Sequence, residues 1–247
     1  MKINYKITIE YLGAGFVGWQ IQKRGKSVQF IIEKALSKVL KKKIKIIGSG
    51  RTDAGVNALE QTANFFCESK IQNPFKFLTS VNYFLSKFPI SITSIKQKKP
   101  NFHARHSAKK RVYEYVITNR KFKLALDENR TWLIKNLLEI KKMKKAANYF
   151  LGTHNFSAFR ASTCSASNPV RKISKFKVKK VKDKIIIIVE SKSFLQKQVR
   201  SMVGCLKYVG ENKWEPKKIK EILKLKKRSY CAPPAPPEGL YLKKVFY

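Results

Sequence analysis

The stretch Gly48-Ser49-Gly50-Arg51-Thr52-Asp53-Ala54-Gly55-Val56-Asn57-Ala58 sets a single carboxylate between glycines, in a chain otherwise flooded with positive charge. Glycine on both sides lets the backbone take turn conformations closed to other residues and lets a ligand approach closely. Arg51, two positions before Asp53, is placed to hold the acid ionised. The same letters suit an ordinary Gly-rich connection with a surface ion pair, because Gly and Asp are common turn residues. Spacing alone leaves both readings open, with Asp53 as the first candidate for chemistry.

Short strands are expected on either side of this loop, near Ile44 to Ile47 and Gln61 to Phe66. Upstream, Ile3, Tyr5, Ile7, Ile9 and Tyr11 alternate with polar neighbours, the period-two pattern of a half-buried strand. Ser27 is a good N-cap, and Val28, Ile31, Ile32, Ala35, Leu36, Val39 and Leu40 recur behind it at helical spacing. Downstream, Asn73-Pro74 supplies a cap and a first-turn proline for a helix with Leu78, Val81, Asn82 and Leu85 on one side. Ile90 to Ile95 alternates again. The order strand, helix, strand, strand, helix, strand is that of a ferredoxin-like split unit.

The second half repeats it. A strand is expected through Arg111 to Thr118, a helix over about Leu138 to Leu151, and two strands, Ile173 to Val181 and Lys184 to Glu190, joined by a tight turn at Lys182-Asp183. A helix from Phe194 to Val209, an extra helix after Pro216 and a strand from Leu240 to Phe246 complete the set. The chain reads as an α+β protein of two ferredoxin-like halves, 1–101 and 102–247, with the polar stretch Lys96 to Asn101 as the linker. Sheets of this kind side by side would create a basic cleft along their junction. RNA-binding modules often use such a sheet, yet the aromatic signature of a true RRM is missing, so architecture leaves function open.

The 247 residues suffice for one large domain or two small ones. With 54 basic residues against 15 acidic, the formal net charge is +39, which makes a polyanion the obvious partner. Only 10 of the 54 are arginine, and the chain is also rich in Ile and Asn, as an AT-rich coding bias produces. Runs such as Lys41-Lys42-Lys43 and Lys226-Lys227-Arg228 therefore suit solvated faces, and the charge supports nucleic-acid binding without locating it. Cys67, Cys164, Cys205 and Cys231 are scattered and form no C-x-x-C pair, so neither staples nor zinc are expected. His103 and His106 lack a third ligand cluster, so no metal site is expected either. No signal peptide and no apolar run near the roughly 20 residues that span a bilayer is present, and the chain reads as soluble and cytoplasmic, with no membrane partner.

Six blocks along the chain resemble, in order, the TruA-type tRNA pseudouridine synthases. Arg51-Thr52-Asp53-Ala54-Gly55-Val56 resembles the catalytic motif of that family. Tyr11-Leu12-Gly13 with Phe16 to Gln22 is similar to its N-terminal strand and loop. Phe102-His103-Ala104-Arg105 followed by Ala108 to Tyr115 resembles the segment with the active-site tyrosine, and Gly152 to Arg160 is a further block. Phe194-Leu195 with Gln198 to Gly204 resembles the helix bearing a basic active-site residue, and Ala232 to Leu242 resembles the C-terminal signature.

What the resemblance implies is a mainly antiparallel sheet, an active-site cleft between the halves, a homodimer, and isomerisation of uridine to pseudouridine in the tRNA anticodon stem-loop, at positions 38 to 40, without a cofactor. Asp53 would be the nucleophile, attacking ribose or base or assisting a glycal route. Arg200 would pair with Asp53 and keep it anionic, although alone it also reads as a phosphate contact or helix surface charge. Tyr113 would stack on the uracil, although it also reads as a cross-strand aromatic. Arg51 would help to extrude the target nucleotide or position it. Leu240 would line the uracil pocket or serve the core of the last strand. Asn57 departs from the pattern, standing where the family commonly has histidine. A non-catalytic RNA-binding protein of the same fold, and a synthase acting on another RNA, are the competing readings; a DNA-binding one fits the charge but none of the blocks.

Overall fold

The computed structural model describes residues 2–247. The chain divides into two compact units, one running to Lys109 and taking back Leu242–Tyr247, the other Lys110–Tyr241. The expected cut after residue 101 differs from this division, for a polar reason. Asn4 Nδ2 donates to Phe102 O at 2.8 Å, Ala104 N donates to Asn64 Oδ1 at 2.9 Å, and Lys109 N donates to Phe246 O at 2.8 Å, so residues 99–109 stay tied to the first unit.

The first unit contains β1 (Ile3–Tyr11), α1 (Val28–Leu40), β2 (Ile47–Gly48), β3 (Asn57–Cys67), α2 (Pro74–Leu85) and β4 (Ile90–Lys98). Its strands lie in the order β4-β1-β3, with β2 also on β3, which is the ferredoxin-like arrangement. β1 runs antiparallel to both neighbours, Ile7 facing Ala63 on one side and Ile95 on the other. Its odd-numbered residues from Tyr5 to Tyr11 are buried, as alternation predicts. Both helices start at the expected caps: Phe30 N donates to Ser27 Oγ, and Lys76 N to Asn73 Oδ1, each worth about 1 kcal/mol. Val28, Ile32 and Leu36 of α1 and Val81 and Leu85 of α2 are fully buried with Ile7, Ile9, Phe65 and Ile92. The expected linker is strand as far as Lys98, which pairs with Asn4.

The second unit contains β5 (Lys110–Asn119), β6 (Trp132–Ile134), α3 (Ile140–Asn148), β7 (Gly152–Asn155), β8 (Val170–Val181), β9 (Lys184–Ser191), α4 (Gln198–Gly210) and α5 (Lys218–Leu225), and the start of β10 (Leu240–Phe246). The order is β5-β9-β8-β7, antiparallel throughout, with β6 added parallel to β5. Val116 N donates to Gly239 O at 2.8 Å, where β10 begins. The core is aromatic at one end: Phe150 stacks on Phe176 with centroids 5.2 Å apart and meets Phe159 edge-on at 5.2 Å, with Phe156 beside them. The block Phe156-Ser157-Ala158-Phe159 thus serves packing. The strands β6 and β7 are additions to the sequence reading, being too short to show a period.

Candidate active site

In the first unit, the Asp53 loop is held at its start, middle and end by polar contacts, most of them from elsewhere in the chain. At its start, Ser49 N donates to Thr62 O at 2.8 Å, Ser49 Oγ pairs with Gln61 Oε1 at 2.6 Å, and Gln61 Nε2 donates to Gly50 O at 2.9 Å. In the middle, Thr52 is gripped twice. Its hydroxyl pairs with the Tyr11 hydroxyl at 2.8 Å, and its carbonyl accepts Trp19 N at 3.1 Å. At the end, Val56 N turns back to Asp53 O at 3.2 Å, Gly55 takes φ +75°, and Asn57 Oδ1 accepts Gly13 N at 2.7 Å. Tyr11, Thr52, Asn57 and Gln61 are buried, so the Tyr11–Thr52, Ser49–Gln61 and Gly13–Asn57 bonds are shielded from water.

Two glycines make this grip possible. A Cβ at Gly13 would sit 2.3 Å from Val56 O, and one at Gly18, where φ is +105°, would sit 2.7 Å from Thr52 O. The glycines of Tyr11 to Gln22 thus let one loop lie directly against the backbone of another. Arg51, in contrast, is exposed, its Nε donating to Gln20 Oε1 at 3.2 Å, while Gln20 is steadied by Gln29 of α1. Asp53 itself is half-buried.

In the second unit, Tyr113 and Tyr115 lie two apart on β5, both buried, and so on one face of the strand. The Tyr113 ring meets Phe194 edge-on, with centroids 5.1 Å apart. Phe194 and Leu195 precede α4 as a loop, contrary to the expected helix start at 194. Lys197 takes the left-handed conformation and Gln198 Oε1 accepts Leu195 N at 2.8 Å, which delays the helix to Gln198. Arg200 stands in its first turn, half-buried.

Arg200 is bonded by the Pro-rich segment that follows α5. Its Nε donates to Ala235 O at 2.7 Å, and Ala235 N donates back to Arg200 O at 2.9 Å. The segment lies on α4 at Gly204, where a Cβ would meet Pro233 O at 2.1 Å. Arg228 Nη2 anchors Ala232 O at 3.1 Å, and Cys205 and Cys231, scattered in sequence, bring free thiols within 3.4 Å. Tyr115 donates its hydroxyl to Pro236 O at 2.8 Å, and its ring packs where a Cβ on Gly239 would come within 2.7 Å. Burial, reinforced by the nearby Glu238 carboxylate, pushes the Tyr115 phenol well above its ordinary value, so it stays a donor. Leu240 is buried and donates its N to Pro237 O at 2.9 Å.

Of the residues singled out in the sequence, Arg51 and Asp53 belong to the first unit and Tyr113, Arg200 and Leu240 to the second. Sequence reading missed Gln61, Tyr115 and the loop-holding roles of Tyr11 and Asn57. The buried polar letters inside apolar strands were the available signal. The His103 and His106 rings meet at a tilt with centroids 4.3 Å apart, and His103 Nδ1 accepts the backbone N of Arg105 and of His106, a local turn role. Among the described residues, no three His, Cys, Asp or Glu side chains gather as metal ligands, and no helix is long and apolar enough to cross a membrane.

Comparison with known proteins bears on the whole chain. The family model described as tRNA pseudouridine synthase matches residues 7–107 and 146–247. A protein named tRNA pseudouridine synthase A from Pelagibacter ubique is 53% identical over 244 residues, 99% of each chain. Relatives of the same name from Ehrlichia chaffeensis, 44% identical over 246 residues, and Parvibaculum lavamentivorans, 42% identical over 244 residues, cover 99% of this chain and 100% and 99% of their own. Such identity from end to end leaves no room for a borrowed fold with unrelated ancestry, and this chain belongs to the tRNA pseudouridine synthase family.

Proposed function

We infer that this protein isomerises uridine to pseudouridine in the anticodon stem-loop of tRNA, at positions 38 to 40, with Asp53 as the nucleophile. The observation that carries the reading is the loop Ser49 to Val56, which hydrogen bonds from buried partners hold at Ser49, Gly50 and Thr52 and which packs against Gly13 at Val56, while Arg51 faces solvent. A carboxylate on a preorganised loop of this kind suits covalent catalysis, because a nucleophile must be held within a fraction of an ångström of its target.

The chemistry balances without an oxidant or reductant. The bond from ribose C1′ to uracil N1 breaks, the base rotates, and C1′ bonds to C5; the C5 hydrogen leaves as a proton, and N1 gains one. Tyr113 stacks on the uracil, Arg200 supplies positive charge to the reacting group, Leu240 lines the base pocket, and Arg51 fills the space left by the extruded nucleotide. The +39 charge draws tRNA by its phosphates and shape. A tRNA substrate places the enzyme in the cytoplasm, and we propose that it acts as a homodimer.

The test is incubation of purified protein with unmodified tRNA transcript, followed by mapping of pseudouridine beside an Asp53→Ala control. Product in the anticodon stem-loop that vanishes with Asp53 supports reaction and nucleophile together. Tight binding with no product supports an RNA-binding protein of the same fold, and product elsewhere corrects the target. Sedimentation of the same preparation reads its assembly, and a monomer at micromolar concentration would refute the dimer.

A further inference from the structure

Resting on the reading that Arg200 serves the reaction, we propose that Tyr115 is a positioning residue, which fixes the Arg200 guanidinium through the Pro-rich segment 232–239. Tyr115 is two residues beyond Tyr113 on the same face of β5, and it is fully buried, so it acts at one remove. Its hydroxyl holds Pro236 O at 2.8 Å. The adjoining residue, Ala235, holds Arg200 Nε at 2.7 Å and Arg200 O at 2.9 Å. Ala235 O is thus flanked by an anchor on each side: Pro236 bound to β5, and Pro233 seated on Gly204 of α4.

Two features make this arrangement transmit position. Prolines at 233, 234, 236 and 237 restrict φ and leave few torsions to absorb a displacement, so a shift at Pro236 is passed to Ala235. The bond at Nε is also the one that sets the direction of the guanidinium, because Nε lies at the root of the planar fork. With Nε fixed, the two terminal nitrogens keep one orientation. Without it, the guanidinium loses the contact at its root that sets its direction. The Tyr115 hydroxyl is a dedicated donor for this purpose, with the ring already packed against Gly239 and Trp132.

Tyr115→Phe removes the hydroxyl and keeps the ring. The expected result is a fall in kcat of about tenfold, short of the roughly 100-fold that a full 1 Å misplacement brings. KM for tRNA should stay within twofold, since affinity for tRNA comes from many phosphate contacts. Loss of stability alone would also lower apparent kcat at constant KM, but it would do so equally whatever residue stands at 200, so the decision falls to the background dependence of the effect.

The deciding measurement is a double-mutant cycle with Arg200→Lys, whose side chain has no Nε to hold. In that background Tyr115→Phe should change kcat by less than twofold. An unchanged kcat for Tyr115→Phe in the otherwise native protein overturns the proposal, and so does an equal loss in both backgrounds. Should Tyr115→Phe unfold at the assay temperature, Gly204→Ala displaces the segment from its other side, its Cβ meeting Pro233 O at 2.1 Å, and the same cycle is read with it. Native protein that yields no pseudouridine overturns the functional reading and this proposal with it. Native protein that yields product, with an additive cycle, overturns this proposal alone.

Discussion

Gly18→Ala should injure catalysis as well as the fold. The new Cβ would lie 2.7 Å from Thr52 O, so the two must separate by about 0.7 Å to reach the 3.4 Å of ordinary contact. Neither side is free to move. Gly18 O accepts Val28 N at 3.1 Å at the start of α1, and Thr52 is held by the Tyr11 hydroxyl at 2.8 Å. If the Asp53 loop takes all of the shift, a cost of about 100-fold per ångström gives a loss near 25-fold; if the shift is shared equally, the loss is near fivefold. The φ of +105° adds about 1–3 kcal/mol of backbone strain. Gly15 supplies the control, because its φ is +81° and a Cβ there meets nothing within 4 Å. Gly15→Ala should lower the melting temperature comparably and leave kcat within twofold of the native value. The assay is release of the C5 hydrogen from tRNA labelled at that position of uridine, with saturating tRNA, beside thermal melts of both variants. Equal kcat in Gly18→Ala and Gly15→Ala would refute the claim that the Trp19 loop sets the place of Asp53.

Asn57→Ala should destabilise the protein by about 1–3 kcal/mol, because it leaves the buried Gly13 N without the acceptor now 2.7 Å away; a urea melt displaced by less than 0.5 kcal/mol would refute that role. Glu190 gives a pH-dependent prediction. Burial pushes its carboxyl up, but hydrogen bonds and charge from Lys110 and Lys175, at 3.0 and 3.2 Å, outweigh this and hold it below its ordinary value of 4.5. A depressed folded value means stabilisation present above the unfolded value and lost as pH falls through the folded one. Glu190→Gln should therefore be less stable at pH 7, by under about 1 kcal/mol since both lysines are more than a third exposed, and the gap should close as pH falls below 4.5 and through the lowered value. A gap of constant size from pH 7 to pH 3 would count against the ion pairs.

The sequence by itself determined the elements whose cause is local. Ser27 and Asn73 cap helices at the first residues where capping letters precede an apolar stripe, and the alternation of Ile3 to Tyr11 is the burial pattern of β1. The six blocks sufficed for the family, because residue identity at fixed order survives where geometry is unknown. Tertiary structure alone decided what crosses long separations. Tyr11 and Thr52 are 41 residues apart, Gly13 and Asn57 44, and Tyr115 and Pro236 121, and no periodicity encodes a hydrogen bond across such distances. The same holds for the division at Lys109, which rests on bonds from Asn4, Asn64 and Phe246 to residues 102–109, which the sequence reading gave to the second half. Local patterns record which side of an element is buried; the partner that each buried polar group finds there depends on the folded chain, because only folding brings donor and acceptor together and removes the water that would otherwise satisfy both.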